Sequence, residues 1–231
     1  MENNKLQETL DAHVERDPRL GEVYLTAKRR YGQFDFYHHN FVHVMRDLYR
    51  ALVIAEDEGD VDYSILIPAV LLHDIGFCSP DVEALGHDVA GSQLAQEILE
   101  ELGFEEEIRQ AVGHCILAHK GKATLPDTKE AQILYDADIL EKAGVLFMIF
   151  AGKLLCEFKE SIPHLVEREV TDRGSEVERG FYTRKAREMD GGRLAKVRDL
   201  FAQIKKEITV ERLDYTVQEE DLWREKPPEF K

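Results

Sequence analysis

The chain has 231 residues, 43% of them hydrophobic and 33% charged, with 46 acidic against 30 basic side chains and a net charge of −16. Such a length can bury a sizeable core, and the composition is ordinary for a helical globular protein. The acidic balance argues against sequence-independent binding to nucleic acid or to an anionic membrane surface, since both need basic stripes.

Helical periodicity dominates and no alternating strand is evident, so the expected class is all-α. Residues 4–16 read as a first helix. A second starts at "DPRLGEVYLTAKRRY", with Asp17 as N-cap and Pro18 at the first helical position, where its missing N–H costs nothing. "HHNFVHVMRDLYRALVIAEDEG" (38–59) reads as one long helix that Gly59 ends. "DYSILIPAVLLHDIG" (62–76) is almost wholly apolar and is expected to be the central buried helix, stopped by Gly76.

Next come "GHDVAGSQLAQEILEELG" (86–103), with an apolar stripe through Leu94, Ile98 and Leu102, and "FEEEIRQAVGHCILAHKG" (104–121), with acids at its start. Asp127 and Glu130 have capping-box spacing before "AQILYDADILEKAG". Residues 145–170 and 191–208 are expected to be helical, and the polar, Gly-punctuated stretch 171–192 between them to be a mobile cover. The tail "DLWREKPPEFK" carries little helical signal.

No apolar N-terminal segment or long uncharged run is found, so neither a signal peptide nor a membrane span is expected. Cys78, Cys115 and Cys156 lack zinc-ribbon spacing and suit reduced thiols in a cytoplasm. A P-loop, a nucleophile elbow and a dinucleotide-binding glycine motif are all missing, which sets those enzyme classes aside.

Seven of the nine histidines fall between residues 38 and 119, one or more on most of the expected helices there. His39 and His43 are four apart and so share a helix face; His73 and Asp74 are adjacent; Asp136 and Asp138 follow on a later helix. Imidazoles and carboxylates delivered by successive helices of one bundle are how such a core builds a metal centre. Asp136 and Asp138 point to opposite sides of a helix, so only one should reach it, and Asp138 lies nearer the apolar stripe. His114 is five residues from His119 and is expected to play a structural part.

The order of these pieces resembles the HD superfamily of metal-dependent phosphohydrolases. The matching segments are "HNFVHVMRD" (39–47), "LLHDIG" (71–76), "GHDVAG" (86–91), "CILAH" (115–119) and "YDADILEKAG" (135–144). The stretch "GFYTRKAREMDGGRLAKVRDLF" (180–201) looks like the C-terminal helical section of bacterial nucleotide pyrophosphohydrolase-like members. The resemblance implies an HD-domain helical bundle over 31–150, an N-terminal helical extension over 1–30, and additional C-terminal helices and a tail over 151–231 packed on the core. It assigns His43, His73, Asp74 and Asp138 as metal ligands. His87 and His119 match positions that in many relatives bind a second metal or the phosphate, so Asp74, His87 and His119 are the expected catalytic residues. Relatives usually carry Asp at position 40 and Val at position 47, where this chain has Asn40 and Asp47.

A mixed His/carboxylate set suits Mn, Fe, Co, Ni or Zn better than magnesium. Such an ion would lower the pKa of a bound water toward ~7. Arg46, Lys120 and Lys185 are the cations expected to meet the substrate. The implied function is hydrolysis of a phosphoester or phosphoanhydride in a small nucleotide-like molecule. The same residues would also serve a di-iron oxygenase of this fold, or a non-catalytic sensor that binds a nucleotide or metal.

Overall fold

The computed structural model describes residues 3–210, with side chains over 7–209, so the tail at 221–231 lies outside the described residues. All regular structure among those residues is helical: α1 (Asn3–Arg16), α2 (Arg19–Tyr31), α3 (Phe41–Glu58), α4 (Tyr63–Leu72), α5 (Val82–Leu85), α6 (His87–Glu101), α7 (Glu106–Ala118), α8 (Lys129–Glu141), α9 (Leu146–Phe158), α10 (Ile162–Arg179), α11 (Arg184–Asp190) and α12 (Arg193–Val210). A short 3₁₀ turn spans Ile75–Cys78.

α4 has no polar face, and Leu66 through Leu72 are all buried. It therefore runs through the middle, packed against α2, α3, α7 and α8. The segment expected as an N-terminal extension contributes to that same core: Leu20, Val23, Ala27 and Tyr31 of α2 pack in one cluster with Val44 and Leu48 of α3 and Leu71 of α4. A second cluster holds α9, α10 and α12 together through Phe147, Leu154, Leu165, Val166, Val197 and Phe201.

Several boundaries differ from the sequence expectation, each for a local reason. α3 starts after Asn40, whose side chain accepts the N–H groups of Val42 and His43 at 3.0 and 3.3 Å. His38 and His39 thus precede the helix, and His39 does not share a helical face with His43. Asn40 does this N-cap work as an Asp would. α8 is capped by Thr128, which accepts from Ala131, rather than by Asp127. Residues 145–170 are two helices, broken where Lys159 adopts a left-handed conformation.

The largest correction concerns 171–192. Residues 162–179 form the regular helix α10, capped by Ser161 and carrying Pro163 in its first turn. Its buried face is Leu165, Val166, Glu169, Arg173 and Glu176. That is a helical stripe in which three of five inward positions are charged, so hydrophobic periodicity does not register it. α11 follows, anchored by Asp136, whose carboxylate accepts the backbone N–H of Tyr182 at 3.0 Å, the N–H of Thr183 at 2.7 Å and its hydroxyl at 2.7 Å.

Candidate metal centre

α4 stops at Leu72, and the chain leaves helical geometry at Asp74 (φ −102°, ψ 8°). This lets two adjacent side chains reach one site, which a straight helix would not allow. Gly76 then brings the 3₁₀ turn hard against α6: a Cβ there would sit 2.0 Å from the His87 carbonyl oxygen and 2.6 Å from the Gly91 nitrogen. Gly76 of "LLHDIG" and Gly91 of "GHDVAG" thus set His87 beside Asp74.

Asp74 lies between two groups of imidazoles. Its Oδ2 is 3.2 Å from His43 Nε2 and 3.3 Å from His73 Nε2. Its Oδ1 is 3.7 Å from His87 Nε2 and 3.8 Å from His119 Nε2. Donor atoms of His43, Asp47, His73 and Asp138 lie within 4.8 Å of one another, as do those of Asp74, His87 and His119. Except for half-buried His87, every one of these residues is buried.

The ring orientations follow from the acceptor each Nδ1 meets. His73 Nδ1 donates to the Val70 carbonyl at 2.8 Å and His119 Nδ1 to the Ile116 carbonyl at 2.6 Å. A carbonyl can only accept, so the proton sits on Nδ1 and each Nε2 turns to the site. His43 Nδ1 instead faces Glu141 Oε1 at 3.6 Å. Glu141 is itself held by Arg46 at 2.7 Å and by Arg50 at 2.5 Å, and Arg50 also grips Asp47 Oδ1 at 2.7 Å.

The residues present fit a bound cation. His73 Nε2 and Asp47 Oδ2 are buried and lack a hydrogen-bond partner, although both point into the same small space. Leaving such atoms unsatisfied is costly, and one ion satisfies both. The electrostatics agree. Burial alone would depress His43, yet the carboxylates of Asp47, Asp74 and Glu141 outweigh it and hold its pKa well above the usual imidazole range. His73 is likewise raised to about 9, burial being overcome by Asp74 and Asp47. Burial would raise Asp74, but His73 and His43 hold it well below the ordinary carboxylate range. In Asp47 burial prevails and lifts the carboxyl to about 6. Protons on two imidazoles occupy the electrostatic place of a metal ion. On the other side of Asp74, burial lowers His87 to about 2 and His119 to about 4, which keeps both neutral, as metal donors must be.

The site forms the floor of a cavity of about 380 Å³. Its wall carries Lys120, Lys122 and Lys142, and its roof is α9 and α10, with Phe147, Phe158 and Arg173 facing in. Of the three cations expected to meet substrate, Lys120 lines this cavity, paired with Asp88 at 2.9 Å. The other two are corrected by their positions. Arg46 spends its guanidinium on Glu141 and lies over the Phe150 ring, behind the ligand set. Lys185, on α11, pairs with Glu188 at 3.6 Å away from the cavity lining.

Asp136 points away from the centre and anchors α11, whereas Asp138 joins the cluster. His114 pairs with Asp127 at 2.6 Å, outside the cavity lining. Burial raises the Cys78 thiol to about 11, so it is no nucleophile at neutral pH. Sequence reasoning passed over Asp47 and Glu141. The signal for Asp47 was its place four residues after His43, on the same helical face.

The central part of the chain has recognisable relatives. The HD domain family model matches residues 40–143. Residues 40–143 are similar to an HD domain. The match holds His43, Asp47, His73, Asp74, His87, His119 and Asp138 and ends just before α9, so the roof of the cavity comes from outside it. Three solved structures share the wider fold. A predicted HD superfamily hydrolase from an uncultured Thermotogales bacterium is 24% identical, with a TM-score of 0.60 over 86% of this chain and 98% of its own. A Lactobacillus plantarum protein is 19% identical, with a TM-score of 0.64 over 84% of this chain and 98% of its own. The Lin1889 protein of Listeria innocua is 18% identical, with a TM-score of 0.54 over 83% and 98%. No curated protein matches the chain.

Proposed function

We propose that the chain is a metal-dependent phosphohydrolase acting on a phosphoester or phosphoanhydride of a small nucleotide-like substrate. The observation that carries this reading is the two-sided placement of Asp74 at the floor of a lysine-walled cavity. His43, His73, Asp74 and Asp138 would hold one divalent transition metal ion (Mn, Fe, Co, Ni or Zn), with Asp47 an added donor. Asp74, His87 and His119 would hold a second. An ion bound there supplies Lewis acidity and acidifies the water it carries.

The remaining work falls to side chains of the chain itself. Lys120 orients anionic oxygens from the α7 side, and the roof of α9 and α10 keeps bulk water from the buried carboxylates. His87 and His119 are neutral at neutral pH, and the bond from His119 Nδ1 to the Ile116 carbonyl leaves its Nε2 free to bind an ion. Lys120 and Lys122 beside the floor favour a phosphoryl substrate over dioxygen, which needs no cationic wall, and so weigh against the di-iron oxygenase reading.

Phosphate release from a panel of phosphorylated compounds, assayed with each divalent metal, tests the proposal. Asp74→Ala should cost more than the ~100-fold typical of losing a hydrogen-bonded partner of a ligand. Full metal-dependent activity in that variant would contradict the reading. Oxygen consumption by iron-loaded protein without phosphate release would point to the oxygenase instead.

A further inference from the structure

The α10 wall of the cavity carries a run of alternating charges that the hydrolytic reading does not use. Starting from the metal cluster, Lys142 Nζ donates to Asp138 Oδ2 at 2.8 Å and stands 4.0 Å from Glu176 Oε1. Glu176 pairs with Arg173 Nη1. Arg173 Nε is 3.1 Å from Glu169 Oε2, at an angle that makes no hydrogen bond.

Two features distinguish this wall from an ordinary ion-pair network. Arg173 is only 3% exposed, lines the cavity, and keeps a buried Nε–H without an acceptor. Lys142 has three donors, and a single bond, to Asp138, engages it. Both cations therefore line one chamber, together with the Glu169 and Glu176 carboxylates, at a distance from the metal cluster set by the Lys142 side chain. Phe147 packs under the Arg173 guanidinium, its ring centroid 5.3 Å away, and fixes that group in place.

We propose that Lys142 and Arg173 form an anion subsite that takes a second, non-reacting anionic group of the substrate, so that the site selects compounds with two anionic groups a few bonds apart. This rests on the phosphohydrolase reading, in which the first anionic group meets the metal cluster. Arg173 lies beyond the residues that match the HD domain, on the α10 helix.

The test is binding, not turnover. Manganese-loaded protein is titrated calorimetrically with methylphosphonate, which offers one anionic group, and with methylenediphosphonate, which offers two and resists hydrolysis. The wild type should bind the diphosphonate about tenfold or more tighter. Lys142→Met and Arg173→Gln should each bring the two probes to within about threefold of each other, and Arg173→Gln should leave methylphosphonate affinity unchanged. Arg173 does not touch Asp138, so its variant decides the matter should Lys142→Met lose manganese.

A preference for the diphosphonate that survives both substitutions, as simple chelation would give, overturns the subsite. So does equal binding of the two probes by the wild type. Either result leaves the hydrolase reading standing. If neither probe binds manganese-loaded protein, the hydrolase reading itself fails, and the subsite with it.

Discussion

Asp47 places one carboxylate oxygen 3.3 Å from His43 Nε2 and 3.8 Å from His73 Nε2, while Arg50 holds the other at 2.7 Å. A buried carboxylate so placed either shares protons with the imidazoles or shares a cation with them. The two states differ in their pH dependence. His73, raised to about 9 from 6.5, contributes stability that is fully present below pH 6.5 and lost as the pH rises through 9. Metal-free protein should therefore melt at a lower temperature at pH 9 than at pH 6.5. Manganese-loaded protein, with the imidazole already deprotonated, should lack that fall. Thermal melts across this range, with and without manganese, check it; identical pH profiles would mean that no ion replaces the proton.

Glu141 works at the same scale, by facing His43 Nδ1 from behind. Glu141→Gln should weaken manganese binding by about tenfold to a hundredfold in a competition titration while the helical spectrum is unchanged. The part Glu141 plays was not visible from spacing. The sequence order singled out His43, His73, Asp74 and Asp138, and the structure brings them together. Glu141 differs because a glutamate in a helix is ordinarily a solvated residue, and only the fold reveals that it is buried under two arginines.

Among elements, those with an apolar stripe were legible and those with a charged inward face were not. α4 could be recognised because it has no polar face, and α6 because Leu94, Ile98 and Leu102 recur at helical spacing. The second half of α10, from 171 to 179, escaped because Arg173 and Glu176 occupy its inner face, where one expects leucine. Similarly, "LLHDIG" marked a helix end, but not the close approach of Gly76 to α6. A methyl group there would meet backbone, which cannot swing aside. Gly76→Ala should cost about 1–3 kcal/mol in denaturant unfolding, the range for overpacking, and should weaken metal binding by shifting His87. Asp136→Ala should be destabilising by a similar ~1–3 kcal/mol, because the N–H groups of Tyr182 and Thr183 lose their acceptor. Since α11 lies off the cavity, that variant should still bind manganese with wild-type affinity.

Across the whole molecule, the segment 40–143 that matches the HD domain model is completed by helices on both sides of it. α2 fills the core behind the site, and α9, α10 and α12 build a second apolar cluster that holds the roof over the cavity. Roof and domain are joined by Lys122 to Asp172 at 2.9 Å, by Arg179 to the Tyr135 hydroxyl at 3.2 Å, and by an apolar cluster of Tyr135, Ile139, Ala143 and Leu194. No described helix is long and apolar enough to cross a membrane. The account's central claim is that His43, His73, Asp74 and Asp138 hold a metal ion at the floor of this cavity. Anomalous X-ray scattering from manganese-soaked crystals tests it most directly. The predicted result is a peak within bonding distance of His43 Nε2, His73 Nε2 and Asp74 Oδ2; a map with manganese only at surface carboxylates would contradict it.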